Sequence, residues 1–284
     1  MSDSDPIYSL VALDIDGTMI GEDRIVTPEL INAIARVQIS GTIVSVATGR
    51  TLTPALRIAR EAGAEGPVIC FQGAMTYDQV TGYPLRHERL DESITNQAIA
   101  GLTSVVPEVM MFLGDDVWVE KRSDWTDGYG ERMGVSIRDT HSLASMADQQ
   151  PTAIVGVGEP EVVESLVEEM HARFNGSALV THSLPMFCEV EAIGAGKDLA
   201  LAHLAESMNV DRNSVIAIGD GKGDQSMIIW AGLGVAIQGG HPDAIESADQ
   251  VIATPEEFGL VNFLEVLSDS GKFGPPSGRR GIIG

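Results

Sequence analysis

The chain has 284 residues, 44% of them apolar and 21% charged, a globular composition that excludes a largely disordered polypeptide and at this length allows one or two domains. Acidic residues outnumber basic ones 41 to 18, for a formal net charge of −23. A field of that sign repels nucleic acid and anionic membranes, so neither is expected as a partner. No apolar run approaches the ~18 residues that a membrane span needs, and the start, Met1-Ser2-Asp3-Ser4-Asp5-Pro6, lacks the basic and apolar stretches of a secretory signal. The expected setting is the cytoplasm. There Cys70 and Cys188, each inside an apolar stretch, are expected to be buried reduced thiols. An anionic substrate must then find its positive charge in a metal ion or in a few placed cations.

In chain order, residues 9–13 form a short apolar run that predicts a buried strand. The turn-rich Asp16-Gly17-Thr18 follows. Thr27 and Pro28 open a helix as N-cap and first residue; Leu30, Ile31, Ile34 and Val37 keep helical spacing, and Gly41 ends it. A strand at 42–47, a helix after Thr53-Pro54 and a strand at 68–71 continue an alternation that indicates βαβ units and a parallel sheet. The rhythm changes near Gly82. A helix near 94–105, a hairpin of 110–113 and 117–119 around Gly114-Asp115-Asp116, a strand at 153–157, a helix at 160–173 and strands near 178–190 read as an α+β insert. After Ala192 the first rhythm returns, with a helix at 197–208, a strand at 215–218, a helix about 224–231, strands at 234–237 and 250–253, and a helix at 255–267. Residues 269–284, rich in Gly and Pro, are expected to be a disordered tail. The expected organisation is an α/β core from 1–82 and 191–268, with 83–190 inserted as a cap.

Two carboxylate clusters follow predicted strands: Asp14-Ile15-Asp16-Gly17-Thr18 and Gly219-Asp220-Gly221-Lys222-Gly223-Asp224. In an open α/β sheet, ligands bind beyond the carboxyl ends of the strands. An aspartate there is costly unless paired or bound to metal, and two such clusters can converge on a hard cation such as Mg²⁺. Ala47-Thr48-Gly49-Arg50, after another strand, supplies a hydroxyl and backbone N–H groups suited to phosphate. Gly194-Ala195-Gly196-Lys197 adds a point charge on a loop that allows close approach.

In this order the four segments resemble the motifs of the haloacid dehalogenase superfamily of phosphotransferases, and among them the Cof-type sugar-phosphatase-like proteins with a C2-type cap. The resemblance spans about residues 8 to 267 and includes Gly73-Ala74, Glu189 before the lysine loop, and Ala231–Ala236 followed by Ala248–Val251. It implies a Rossmann-like core with an inserted α+β cap. It further implies an Mg²⁺-dependent phosphatase for a small phosphorylated metabolite, most simply a sugar phosphate, working as a monomer or homodimer. Asp14 would be the nucleophile that forms an aspartyl phosphate, and Asp16 the acid and then the base. Asp14, the Asp16 backbone carbonyl and Asp220 would hold the metal, with Asp224 supporting it. Thr48, Gly49 and Lys197 would bind the phosphoryl oxygens, and Arg50 would touch phosphate or form an ion pair. Three amide positions of the pattern differ: Gln72 and Gly223 replace Asn, and Gly239-Gly240 stands for Gly-Asn. A phosphomutase-type relative and a binding or regulatory protein with little turnover are the alternative readings.

Other motifs fall away. Gly194–Asp198 lacks the first Gly and the Ser/Thr of a P-loop, and Asp14–Ile25 lacks the sixth-place Gly and closing Glu of a calcium loop. Gly219, Gly221 and Gly223 have the wrong spacing for a dinucleotide site. The six histidines show no paired ligand spacing. Trp118, Trp125 and Tyr129 either pack the insert or line a pocket.

Overall fold

The structure, a computed structural model, describes residues 6–182 and 184–276. Its first stretch runs β1 (Leu10–Leu13), α1 (Pro28–Ile39), β2 (Ile43–Ala47), α2 (Leu52–Glu61), β3 (Val68–Cys70), β4 (Met75–Asp78) and β5 (Tyr83–His87). The middle holds α3 (Glu92–Thr103), β6 (Glu108–Leu113), β7 (Asp116–Val119), α4 (Asp124–Met133), β8 (Ser136–Asp139), β9 (Ala153–Val157), α5 (Pro160–Phe174), β10 (Ala178–Thr181) and β11 (Phe187–Ala192). The last stretch holds α6 (Lys197–Ser207), β12 (Val215–Gly219), α7 (Gln225–Trp230), β13 (Leu233–Ile237), α8 (Pro242–Ser247), β14 (Gln250–Ile252) and α9 (Gly259–Asp269).

The strands form two sheets. The first has the order β14-β13-β12-β1-β2-β3-β4-β5, parallel from β14 to β3 and antiparallel at β4 and β5. Every β1 side chain is buried, as a parallel strand covered on both faces requires. Alternation sorts them: Val11 and Leu13 pack with α1, α2 and α9, while Leu10 and Ala12 pack with α6 and α7. The second sheet, β10-β11-β9-β6-β7-β8, is antiparallel except for the β7–β8 pair. An aromatic chain joins the two sheets. Phe71 meets Phe112 edge-on at 5.8 Å, Phe112 meets Tyr129 at 6.4 Å, and Tyr129 stacks on Trp125 at 5.7 Å. Trp125 and Tyr129 thus take part in packing, and Trp118, partly buried, packs against the second sheet's other core beside Arg138.

Several boundaries differ from the sequence reading for local reasons. The second helix starts at Leu52, with Pro54 inside the first turn where no N–H is needed. The last helix starts at Gly259, because Pro255–Glu257 forms a separate turn and Phe258 is left-handed at φ 57°. Strand β5, assigned to the insert by sequence, pairs with β4 at the edge of the first sheet. The expected disorder of 269–284 is corrected for residues 269–276. Asp269 closes α9, Gly271 turns the chain, and Phe273 is buried beside Tyr8. Tyr8 N–H donates to Lys272 O at 2.8 Å, and Gly274 N–H donates to Tyr8 O at 3.1 Å and to Thr42 Oγ1 at 2.9 Å. Residues 277–284, like Met1–Asp5, lie outside the described residues. Among the described residues no helix is long and apolar enough to cross a membrane. Both cysteines are buried and free, and burial pushes the Cys188 thiol up to about 12.

Glu191 on β11 is 2% exposed, and its Oε2 has no hydrogen-bond partner among the described residues. Burial, helped by nearby Glu189, raises its pKa well above the ordinary 4.5. The folded protein thus keeps a proton that the unfolded chain releases, so this group costs stability as pH rises above 4.5. The Glu191→Gln variant is expected to melt higher than the parent at pH 7, with the gap closing toward pH 4. Thermal melts across that range test it, and a pH-independent gap would contradict it.

Candidate active site

Three adjacent parallel strands end at one edge of the first sheet. β1 runs into Asp14, β2 into Thr48 and β12 into Asp220, so the register of β1 with β2 and β12 brings their loops together. The first residue of α6 adds Lys197, 4% exposed. Its Nζ donates to Asp14 Oδ1 at 2.7 Å and to Asp224 Oδ1 at 2.5 Å. The other oxygen of Asp224 accepts the N–H groups of Asp220 at 3.1 Å and Gly221 at 2.8 Å. Asp224 thus fixes both the cation and the loop that carries Asp220. Asp220 Oδ1 in turn accepts from the Thr18 hydroxyl at 3.0 Å. Gly17, at φ +81°, lies so close that a Cβ there would overlap the Asp220 carboxylate. Gly240 is pressed against the Asp220 backbone, and His241 N–H donates to Asp220 O at 2.7 Å, leaving no room for a side chain at 240.

One carboxylate oxygen each from Asp14, Asp220 and Asp224 lies within 4.8 Å of the others. Burial and Asp224 push the Asp14 pKa well above the ordinary range, against the pull of Lys197. Burial and Asp224 likewise raise Asp220 to about 6, although the Thr18 hydrogen bond opposes this. Burial alone would lower Lys197, but Asp14 and Asp224 outweigh it and hold the ammonium above its ordinary value. Three carboxylates around one ammonium leave uncompensated negative charge. That set of hard oxygen donors fits a divalent cation, with Asp14 and Asp220 the open ligands and Asp224 committed to N–H donors.

The remaining sequence-predicted residues sit on the neighbouring loop. Thr48 is 2% exposed and its Oγ1 accepts from Arg50 N–H at 3.2 Å. Gly49 abuts the Gln72 side chain. Asp16 does not join the three carboxylates. Its side chain is 57% exposed and takes a bidentate pair from Arg50, at 2.7 Å from Nε and 2.6 Å from Nη2. Thr18 and Gln72 were not singled out as site residues by sequence. Thr18 was nevertheless readable as the hydroxyl that ends the Asp14–Thr18 segment, whereas nothing in the sequence showed where the Gln72 amide would reach.

Lys197 is the sole cation contacting Asp14 and Asp224 among the described residues. Lys197→Met is expected to destabilise the fold by about 3–5 kcal/mol at pH 8, the usual effect of removing one partner from a buried ion pair. The loss should shrink toward pH 5, where the abandoned carboxyls can take up protons. Chemical denaturation at both pH values checks this, and an equal loss at each would contradict it.

Comparison with known proteins bears on the family and the fold. The sequence profile of the haloacid dehalogenase-like hydrolases matches residues 11–264. The chain is 24% identical over 266 residues to the 5-amino-6-(5-phospho-D-ribitylamino)uracil phosphatase YitU of Bacillus subtilis, covering 90% of this chain and 96% of that protein. It is 28% identical over 260 residues to the phosphoglycolate phosphatase of Methanopyrus kandleri, covering 91% and 97%. A haloacid dehalogenase-like hydrolase from Bacteroides thetaiotaomicron superposes with a TM-score of 0.82 at 24% identity, over 92% of this chain and 99% of that one, which shows a shared fold. The chain belongs to the haloacid dehalogenase-like hydrolases.

Proposed function

We propose that this protein is a divalent-metal-dependent phosphatase, with Mg²⁺ the expected ion, that hydrolyses a small phosphorylated metabolite through an aspartyl-phosphate intermediate. The observation that carries the reading is the buried Asp14–Lys197–Asp224 arrangement with Asp220 beside it, at the carboxyl ends of β1 and β12. Two relatives over most of the chain's length bear the names of phosphatases for small phosphorylated compounds, and this supports the substrate class. Asp14 and Asp220 would hold the metal together with the Asp16 backbone carbonyl, with Asp224 supporting the site through Lys197 and the Asp220 loop, and the bound ion would neutralise phosphoryl charge and orient the group.

In this reading a carboxylate oxygen of Asp14 bonds to phosphorus as the phosphorus–oxygen ester bond breaks, and the electron pair leaves with the ester oxygen. Asp16 gives that oxygen its proton and later removes one from water as it attacks the aspartyl phosphate. The water oxygen becomes the fourth oxygen of inorganic phosphate and Asp14 is restored. Lys197, Thr48 and the Gly49 N–H stabilise the equatorial oxygens, the dominant contribution in phosphoryl transfer. Asp16 lies at the mouth, held by Arg50. An incoming phosphoryl group competes with it for the guanidinium and frees the carboxyl for proton transfer. The second sheet, which packs on Phe71 beside the site loops, would close over the site and meet the leaving group.

Phosphate release from a panel of sugar phosphates, nucleotides and cofactor phosphates, with Mg²⁺ and with chelator, tests this. Metal-dependent release is expected, and Asp14→Asn should fall to the buffer blank because an amide is a poor nucleophile. Turnover by Asp14→Asn near the parent rate would remove the nucleophile assignment, and a flat panel with intact ligand binding would favour a binding protein. Metal ligands must be deprotonated, and burial and Asp224 raise the Asp220 carboxyl to about 6. Mg²⁺ affinity measured by calorimetry is therefore expected to weaken as pH falls through 6, and a pH-independent affinity would contradict metal binding by carboxyls whose pKa values burial raises.

A further inference from the structure

Gln72 occupies the turn between β3 and β4. Phe71 at φ 50°, Gln72 at φ 49° and Gly73 at φ +97° are successive left-handed residues, two of them with side chains for which that region is strained. The surroundings hold the turn in place. Phe71 N–H donates to Arg50 O at 2.9 Å, Ala74 N–H to Phe71 O at 2.7 Å, and Arg86 Nη1 to Gly73 O at 2.7 Å. Gly73 also lies against the carbonyl of Gly196, immediately before Lys197. The turn is thereby wedged among the loops bearing Thr48, Lys197 and Asp224.

The Gln72 side chain is aimed into that junction. A Cβ at residue 49 would overlap its Nε2, and a Cβ at residue 223 would come within 3.1 Å of its Oε1. Gln72 is 9% exposed, and its amide makes no hydrogen bond to any described residue. Neither polar atom of the amide is sealed from solvent, so the group stands open to a ligand at this junction, on a turn whose strained backbone aims it there. The amide is also matched to its neighbours. Glutamine at 72 reaches the place where a side chain at 223 would begin, and Gly223 leaves that place open.

We propose that the Gln72 amide is a substrate-contacting residue, its Nε2 donating to an oxygen of the bound phosphoryl group beside Gly49, and that Gly223 is its obligate complement. The inference rests on the phosphatase reading above. It assigns two of the three departures from the asparagine pattern that the resemblance implies, those at 72 and 223, to one coupled exchange.

The test uses the full chain with Mg²⁺, p-nitrophenyl phosphate as substrate and orthovanadate as a non-hydrolysed phosphoryl mimic. Gln72→Ala is expected to raise KM and weaken vanadate inhibition at least tenfold, with kcat changing less and the melting temperature unchanged. Gly223→Asn alone is expected to lose at least tenfold in kcat/KM by displacing the Gln72 amide. The double variant Gln72→Asn/Gly223→Asn should recover to within threefold of the parent, a coupling that a structural role would not produce. Gln72→Ala constants within twofold of the parent, or losses that merely add in the double variant, overturn the inference and leave the phosphatase reading standing. Vanadate-induced thermal stabilisation gives a readout without turnover. Equal stabilisation of parent and Gln72→Ala overturns the amide contact. A parent that neither turns over nor is stabilised overturns both readings.

Discussion

The site depends on one buried ammonium shared by two carboxylates. Lys197 ties the end of β1 to the loop after β12 through Asp14 and Asp224, and its own position is set by the start of α6. Neither carboxylate could stay in so buried a place without it. Because Asp224 also receives the N–H groups of Asp220 and Gly221, the same contact fixes the placement of Asp220. A single charge thus organises three segments that are far apart in the chain. What remains after the pairing is uncompensated negative charge at one spot, on hard oxygen donors of the kind that suit a divalent cation.

The molecule divides into two sheets with different rules. In the first, parallel strands buried on both faces read as continuous apolar runs, and their loops gather at one edge. The second is an antiparallel sheet whose two faces serve different cores. One face packs with α3 and α5, while the other joins Phe112, Val117, Ala153 and Val155 to Phe71 and Met75 of the first sheet. The aromatic contact from Phe71 through Phe112 to Tyr129 starts at the residue before Gln72. The packing that joins the sheets therefore also braces the strained turn beside the site.

The sequence made much of this legible because local signals agreed with the fold. Thr27 caps α1 through Leu30 N–H at 3.2 Å, the β6–β7 hairpin turns at Gly114, and the strand-then-aspartate segments do end at one sheet edge. The edge hairpin β4–β5 escaped because Tyr83, Pro84 and Leu85 are exposed and show no alternation of apolar and polar residues. Helix α4 and strand β8 escaped because two glycines interrupt the helix and the strand is only four residues long, mostly exposed. At the site, residue types were readable but partners were not. That Asp16 faces Arg50 while Asp14 faces Lys197 depends on which side of the turn each aspartate leaves, and no spacing encodes that. The Gln72 amide is a similar case, since its reach follows from two left-handed residues that only tertiary packing sustains.

The pairing of Tyr8 with Phe273 lies at the opposite end of β1 from Asp14, six residues back along the strand, or about 20 Å at the usual rise. Lys272–Pro275 therefore acts as a clasp on the pole remote from the carboxylate cluster, closing over Ser9 and Thr42 through hydrogen bonds from their hydroxyl groups. A probe or surface anchor attached after Pro276 would leave the mouth of the enzyme clear. Trimming the chain at the end of α9 would instead strip the clasp and bare the floor of the central strand.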